Sequence, residues 1–174
     1  MSLSEKIFNY RLRKQLRSTK AFPVWNKIKK VVVVFESDEE ERNTQLMQLL
    51  KELRDEHKQV VAWGYTDKKW ALTPSGIGLK MVSKGDLGWF GRPKKEVIAE
   101  LQSEHYDLLI DLSLTSPLPT RYLSLYTDAA FKTGRHINTE PFIYDFMIQL
   151  PEDKEASFLF DQIMYYLKNI QSND

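Results

Sequence analysis

The sequence feature that most constrains the fold is KVVVVFES at residues 30–37, with an unbroken apolar run from Val31 to Phe35. β-Branched residues favour extended backbone, and a strand apolar on both faces is typical of a parallel sheet covered by helices on each side. We therefore predict that this segment is the first and central strand. Further strands are predicted at 59–66, 78–82, 106–112, 130–134 and 143–150.

Apolar residues at helical spacing alternate with these strands. They predict helices at 4–19, 37–57, 93–105, 119–129 and 156–170, with Ser37 as a cap and Pro93 as a first helical residue. The alternation predicts one three-layer, Rossmann-like α/β domain with a mostly parallel sheet over residues 30–174. A basic helix and linker, residues 1–29, precede it. We expect the strand order 3-2-1-4-5, with the last strand at an edge.

The formal net charge of +1 is unevenly distributed. Residues 1–30 carry nine Lys or Arg and one acid, a net charge of +8, whereas the rest carries 16 basic and 23 acidic residues, a net of −7. A basic segment can bind nucleic acid, an acidic protein or a lipid surface by Coulomb attraction and counterion release. The candidate contacts are Arg11, Arg13, Lys14 and Arg17. Alternatively, the apolar stripe of Phe8, Leu12 and Leu16 packs this helix on the acidic body, and both interpretations remain open.

The compartment follows from what the composition lacks. There is no cysteine, and no apolar run approaches the roughly 20 residues of a membrane span, so we expect a cytoplasmic protein. His57, His105 and His136 lie far apart, which predicts no metal site. The sequence contains no P-loop and no nucleophile elbow, and no cofactor is expected.

Ligands of such sheets bind beyond the carboxyl ends of the strands where the strand order reverses. Here that switch point lies between the first strand and 106–112. The candidate pocket residues are Ser37, Asp38, Asp111, Ser113, Thr115 and Ser116. Asp111 is a candidate general base or hydroxyl ligand, or alternatively caps the following turn with Ser113.

The glycine-rich loop KGDLGWFGRP at 84–93 holds the most unusual cluster. Trp89, Phe90 and Arg92 can stack on a base, a sugar or a partner peptide. The favoured interpretation is instead a hydrophobic plug under the loop, with glycines supplying the turns. Lys132 and Arg135, near the end of the 130–134 strand, are candidate anion contacts or, alternatively, a solvated strand end.

Several segments carry a family resemblance. WFGRPKKEVI, YDLLIDLS, the stretch from Tyr122 to Gly134 ending in AAFKTG, YDFMIQ and FDQIMYYLKNI resemble an uncharacterised α/β family known mainly from Bacteroidetes. The resemblance covers nearly the whole chain from Lys30 onward and implies a fold but no activity.

A second, partial resemblance joins residues 106–135 to the amino-terminal half of heptosyltransferase-like glycosyltransferases. Those enzymes hold the sugar nucleotide mainly in a carboxyl-terminal domain, so this resemblance implies a binding remnant rather than a working transferase. We expect a non-enzymatic binding module that uses the basic helix, the Trp89 loop or both. The alternative is a reduced glycosyltransferase-like, or other sugar- or nucleotide-handling, enzyme with its site near Asp111.

Overall fold

The computed structural model describes residues 2–15, 20–37, 40–69, 78–138 and 142–170. The strands in this part of the chain are β1 (Lys30–Glu36), β2 (Gln59–Thr66), β3 (Leu79–Ser83), β4 (His105–Asp111), β5 (Asp128–Arg135) and β6 (Phe146–Ile148). The helices are α1 (Leu3–Lys14), α2 (Glu40–Asp55), α3 (Lys95–Leu101), α4 (Leu118–Tyr126) and α5 (Ala156–Asn169).

The strands form one parallel sheet in the order β3-β2-β1-β4-β5-β6. Val31 of β1 pairs with Val60 of β2 on one side and with Leu108 of β4 on the other. The predicted fold class, the central position of the first strand and the edge position of the last are all confirmed. Because all the strands are parallel, the segments that follow β1, β3 and β4 leave the sheet at the same end, where the carboxyl ends of the strands lie.

Helices cover both faces of the sheet. Val31, Val33 and Phe35 of β1 pack in a cluster with α2 and α5, whereas Val32 and Val34 pack in a second cluster with α1, α3 and α4. Burying a valine side chain stabilises a fold by about 1.5–3 kcal/mol, so the VVVV run supports both layers at once. The predicted boundary at residue 29, between the basic helix with its linker and the α/β domain, stays a prediction. Phe8 and Leu12 of α1 nevertheless pack in the second cluster of that domain.

Several predicted boundaries are wrong. Helix α3 begins at Lys95, because Pro93 instead forms an antiparallel bridge with Leu87. The last strand is shorter than predicted, because only Phe146–Ile148 pairs with β5. Helix α1 ends at Lys14, and Leu16 and Arg17 lie outside the described residues.

Candidate functional site

The two surfaces that the sequence singles out separately, the basic helix and the Trp89 loop, lie side by side. Helix α1 contacts the 3-10 turn Trp89–Gly91, and a groove of about 580 Å³ opens between them. We call this the Trp89 groove. It is lined by Arg11 from α1 and by Gly88, Trp89, Phe90, Arg92, Pro93, Lys94, Lys95 and Glu96.

Helix α1 is fixed at its start and along one face. Ser2 caps it, with the Glu5 N–H donating to Ser2 Oγ at 3.2 Å and the Ser2 N–H donating to Glu5 Oε2 at 2.7 Å. Phe8 is fully buried, and its ring meets the ring of Tyr122 edge-on with the centroids 4.8 Å apart. Phe8 and Leu12 of the apolar stripe therefore pack on the chain's own domain, while Arg13 and Lys14 remain exposed.

Short-range contacts close the Trp89 loop. The Gly88 N–H donates to the Arg92 carbonyl at 2.7 Å, and the Lys94 N–H donates to the Asp86 carbonyl at 3.0 Å. The Asp86 carboxylate in turn accepts from the backbone and the hydroxyl of Ser83, where β3 ends. The base of the loop is thus tied to the end of β3.

The tip of the loop is strained. Phe90 adopts φ 62° and ψ 28°, a left-handed conformation that is rare for a bulky side chain, and Gly91 follows with φ 71°. Such a conformation costs about 1–3 kcal/mol and persists only where surrounding contacts hold it. This tip is held by the bridge between Leu87 and Pro93 at its base.

The predicted hydrophobic plug is wrong. Trp89 is 87% exposed and Phe90 is 41% exposed, with their ring centroids 6.4 Å apart. Leu87 packs against the cluster that contains Tyr126 of α4, and Pro93 is also buried. Because these side chains fill the space beneath the loop, the aromatic pair is left facing solvent.

Guanidinium groups and aromatic rings alternate beside the groove. Arg92 lies over the ring of Tyr126, 5.4 Å from its centroid, and its Nε donates to the Tyr126 hydroxyl at 3.0 Å. Arg121 lies 4.4 Å from the centroid of Phe8. Burial raises the pKa of Tyr122, which stacks on Tyr126, although the neighbouring arginines oppose this shift. Tyr122 is therefore neutral and does not cancel the guanidinium charges beside it.

The groove carries an excess of positive charge. Arg11, Arg92, Lys94 and Lys95 line it together with one acid, Glu96. Within the described part of the chain, none of these four cations forms an ion pair with a carboxylate. The Nε atom of Arg11 is buried and has no hydrogen-bond partner among the described residues. The groove thus combines unneutralised cations with a solvent-facing indole.

At the switch point, the structure brings Asp111 together with donors from its own chain. Asp111 is 1% exposed and accepts hydrogen bonds from the Ser113 N–H at 2.8 Å, Ser124 Oγ at 2.6 Å and the Tyr144 hydroxyl at 2.6 Å. Burial raises the pKa of Asp111, although these hydrogen bonds lower it. The predicted cap on Ser113 is present, and two further donors occupy the other oxygen.

Glu36 was not among the residues predicted for the switch point, yet it binds Thr115 and Ser116. Its carboxylate accepts from the Thr115 N–H and Oγ1, both at 2.6 Å, and from the Ser116 N–H at 3.1 Å. Ser37 instead donates its N–H to the Tyr65 carbonyl, and Asp38 lies outside the described residues. An acid at the penultimate position of the strand predicted at 30–37 was the signal that could have identified it. The backbone amides of Thr115 and Ser116 are therefore already hydrogen-bonded to a carboxylate of the chain itself.

The two anion contacts predicted near the end of β5, Lys132 and Arg135, have different surroundings. Lys132 is 4% exposed, and its ammonium donates to the carbonyls of Ser124 at 2.6 Å and Leu125 at 3.2 Å, in the last turn of α4. It is neither an anion contact nor part of a solvated strand end, because it is buried against the helix C-terminus. Arg135 donates from Nη1 to the Leu114 carbonyl, and its role as an anion contact stays a prediction.

A second cavity, of about 650 Å³, opens at the amino ends of the strands. Its cations are already engaged: Lys58 Nζ donates to the carbonyls of Trp25 and Ile28, and Lys30 pairs with Glu104 at 3.5 Å. Lys94 of the Trp89 groove likewise donates to a carbonyl, that of Gly85, at 2.7 Å. The difference is that no groove cation is paired with a carboxylate in the described part of the chain, whereas Lys30 is, so the Trp89 groove is the better anion site. The lining residues of the second cavity are Lys30, Met47, Leu50, Arg54, Lys58, Gln59, Val60, Val61, Gly78, Leu79, Glu104 and Tyr106.

A sequence family model matches nearly the whole chain. The model of a family described as "Family of unknown function (DUF6913)" matches residues 4–170. The chain belongs to DUF6913. The predicted resemblance to an uncharacterised α/β family is thereby confirmed, and membership adds no activity.

The DUF6913 chain also shares its fold with a solved structure, "E. coli heptosyltransferase WaaC with ADP". The two superpose with a TM-score of 0.51 at 16% sequence identity, over 83% of this chain and 48% of the heptosyltransferase. The DUF6913 chain thus spans about half the length of that protein, and the predicted likeness in fold is confirmed. No curated protein matches the sequence.

Two further features of the DUF6913 chain concern only its described residues. Among them, no group of three or more His, Cys, Asp and Glu side chains is placed to hold a metal ion. No helix in the same part of the chain is long and apolar enough to cross a membrane.

Proposed function

We propose that this chain is a non-enzymatic binding module whose partner is anionic, and that the Trp89 groove is its contact surface. One observation carries the proposal: an indole that is 87% exposed lines a groove with four cations, none of them ion-paired within the described residues. Contiguous exposed apolar surface, such as the adjacent rings of Trp89 and Phe90, marks interaction sites more often than isolated exposed side chains do. Arginine and tryptophan dominate binding energy at interfaces.

The surroundings of the groove support this proposal. Arg13 and Lys14 continue the positive surface along α1, since both are exposed on a helix whose opposite face is buried. The strained conformation of Phe90 supports it as well, because such strain concentrates at binding sites. A cytoplasmic location goes with the proposal, since the cysteine-free sequence suits a reducing compartment.

Charge reversal in the groove tests the proposal with inorganic polyphosphate, a polyanion that has no base or sugar. The double variant K94E/K95E should weaken polyphosphate binding about tenfold or more at low salt, and reduce the slope of log affinity against log salt. Both lysines are exposed, and a glutamate at the start of α3 suits the helix dipole, so the fold should be retained.

A matched control separates a local site from overall charge. K27E/K51E makes the same change in net charge at two exposed lysines on the α2 side of the sheet, where Trp25 and α2 pack in one cluster. This control should bind polyphosphate within about twofold of the wild type, since its charges lie on the opposite side of the sheet from α1 and α3. Equal losses in both double variants, or no binding by the wild type, would contradict the proposal.

A second candidate function is a sugar- or nucleotide-handling enzyme at the switch point. The observations that favour it are the fold shared with a heptosyltransferase whose structure contains ADP, and a buried Asp111 whose pKa is raised. It ranks lower because Ser113, Ser124 and Tyr144 already donate to Asp111. Calorimetry with ADP tests it: binding that D111N abolishes, in a variant that remains folded, would favour the enzyme.

A further inference from the structure

We infer that the partner of the Trp89 groove is single-stranded nucleic acid, with a base stacked on Trp89 and neighbouring phosphates on the groove cations. This inference rests on the proposed function and narrows its anionic partner to one class. Proteins that bind single strands without sequence preference combine a positively charged groove with aromatic side chains on which bases stack. Both parts are present here within one short loop and the helix beside it.

The exposed indole favours a base over a partner that offers charge alone. Phosphate groups or an acidic peptide would be satisfied by Arg92, Lys94 and Lys95, and would give no role to a ring that is 87% exposed. A nucleotide uses both elements, since every base presents a flat face to an aromatic ring and carries a phosphate within reach of a nearby cation.

The small size of the exposed aromatic patch favours a strand over a membrane. Elements that lie on a bilayer bury a whole apolar face, with basic residues on the polar face. Among the residues that line the groove, the large exposed apolar side chains are Trp89 and Phe90, and they lie between Arg11 of α1 and Lys95 at the start of α3. A strand lying in this groove would meet cations from both elements.

The duplex is disfavoured by the same geometry. In a double helix the faces of the bases are stacked on one another, so Trp89 would reach only the edges of bases or the sugar-phosphate backbone. Arg92 is held over the ring of Tyr126 and lines the Trp89 groove, where its guanidinium can meet a phosphate of a single strand. The expected ligand is therefore unpaired RNA or DNA.

Stacking and charge are separated by comparing three short probes with the full chain. They are a ten-nucleotide oligouridylate, the matching oligothymidylate, and an abasic phosphodiester of equal length and charge. W89A should weaken binding of a base-containing probe about 5- to 100-fold while changing abasic affinity less than twofold. Because Trp89 is exposed, this variant should retain the fold, and Y165A, which removes an exposed aromatic from α5, should bind all probes like the wild type.

Each outcome has a distinct meaning. Selective loss in W89A, with single strands bound more tightly than a duplex of the same sequence, supports the inference, and the tighter of the RNA and DNA probes identifies the source. Equal affinity for the abasic and base-containing probes would overturn the inference but leave the proposed function intact. Trp89-dependent binding to vesicles of anionic phospholipid, without a preference for bases, would also overturn it. If the wild type binds neither polyphosphate nor any of the three probes, both the inference and the proposed function are overturned.

Discussion

The guanidinium of Arg92 lies 5.4 Å from the ring centroid of Tyr126, and its Nε donates a 3.0 Å hydrogen bond to the Tyr126 hydroxyl. This pair joins the Trp89 loop to α4, an element of the folded core. A groove wall held in this way loses less conformational entropy when it binds a ligand. The contact therefore connects the packing of the domain with the proposed binding surface.

Removing this hydrogen bond should affect both stability and binding. Y126F keeps the ring but deletes the acceptor of Arg92, so the free energy of unfolding should fall by about 1.5–3 kcal/mol, as for hydrogen bonds to charged groups. Affinity for polyphosphate should fall about two- to fivefold, because Arg92 remains charged but is less restrained. Urea unfolding and fluorescence anisotropy measure the two effects, and unchanged values in both would contradict the role given to this pair.

Helix α1 should be essential for the stability of the domain. F8A removes a fully buried ring that packs on Tyr122 and Arg121, and should cost about 3–5 kcal/mol in urea unfolding. L3A, in the same helix but exposed, should stay within about 0.5 kcal/mol of the wild type. A loss below about 1 kcal/mol in F8A would mean that α1 does not dock as described. Deleting the helix is for this reason a poor test of binding.

Asp111 should make stability depend on pH in an identifiable direction. Burial raises its pKa above the ordinary 3.8, so the folded state holds the proton more tightly than the unfolded state does. The stabilisation from the protonated group is complete below pH 3.8 and is lost as the pH rises through the folded-state pKa. The unfolding free energy of the wild type minus that of D111N should therefore decrease from pH 4 upward.

Urea unfolding of the wild type and D111N in matched buffers gives this difference, and the subtraction removes the contributions of other carboxylates such as Asp107, whose pKa is lowered. A difference that grows with pH would contradict burial as the dominant effect. It would show that the hydrogen bonds from Ser113, Ser124 and Tyr144 stabilise the carboxylate instead.

Glu36 should restrain the loop that follows β4, at Thr115 and Ser116. E36A removes the acceptor of the Thr115 and Ser116 amides, and hydrogen exchange at these two positions should accelerate by roughly tenfold or more, since each bond to a charged group contributes about 1.5–3 kcal/mol. E52A, at an exposed position of α2, is the matched control and should leave both amides unchanged. Equal exchange rates in E36A and the wild type would show that Glu36 does not restrain the loop.

The fold was predictable from sequence because its determinants are local. The β-branched run from Val31 to Phe35 requires cover on both faces, and α2 and α5 supply one layer while α1, α3 and α4 supply the other. Strand order followed from the alternation of strands and helices, which leaves few parallel arrangements. Boundaries near Pro93 were missed because its partner, Leu87, is also in the loop.

The candidate site was only partly predictable, because exposure and pairing depend on distant segments. Trp89 is exposed because Tyr126, 37 positions away, helps to fill the space under the loop. Lys132 resembles a strand-end cation in sequence, yet it reaches carbonyls of α4. That α1 and the Trp89 loop form one surface depends on how Phe8 packs against Tyr122, which neither segment reveals alone.

Chemical-shift mapping by NMR tests the central claim most directly, since it reports where a polyanion touches the full chain. Titration of the ¹⁵N-labelled protein with polyphosphate should shift the amides of Gly88, Gly91, Lys95 and Arg11 and the indole N–H of Trp89. The largest shifts at Thr115 and Ser116, at Val60 and Gly78 beside the second cavity, or at no particular surface would contradict the account.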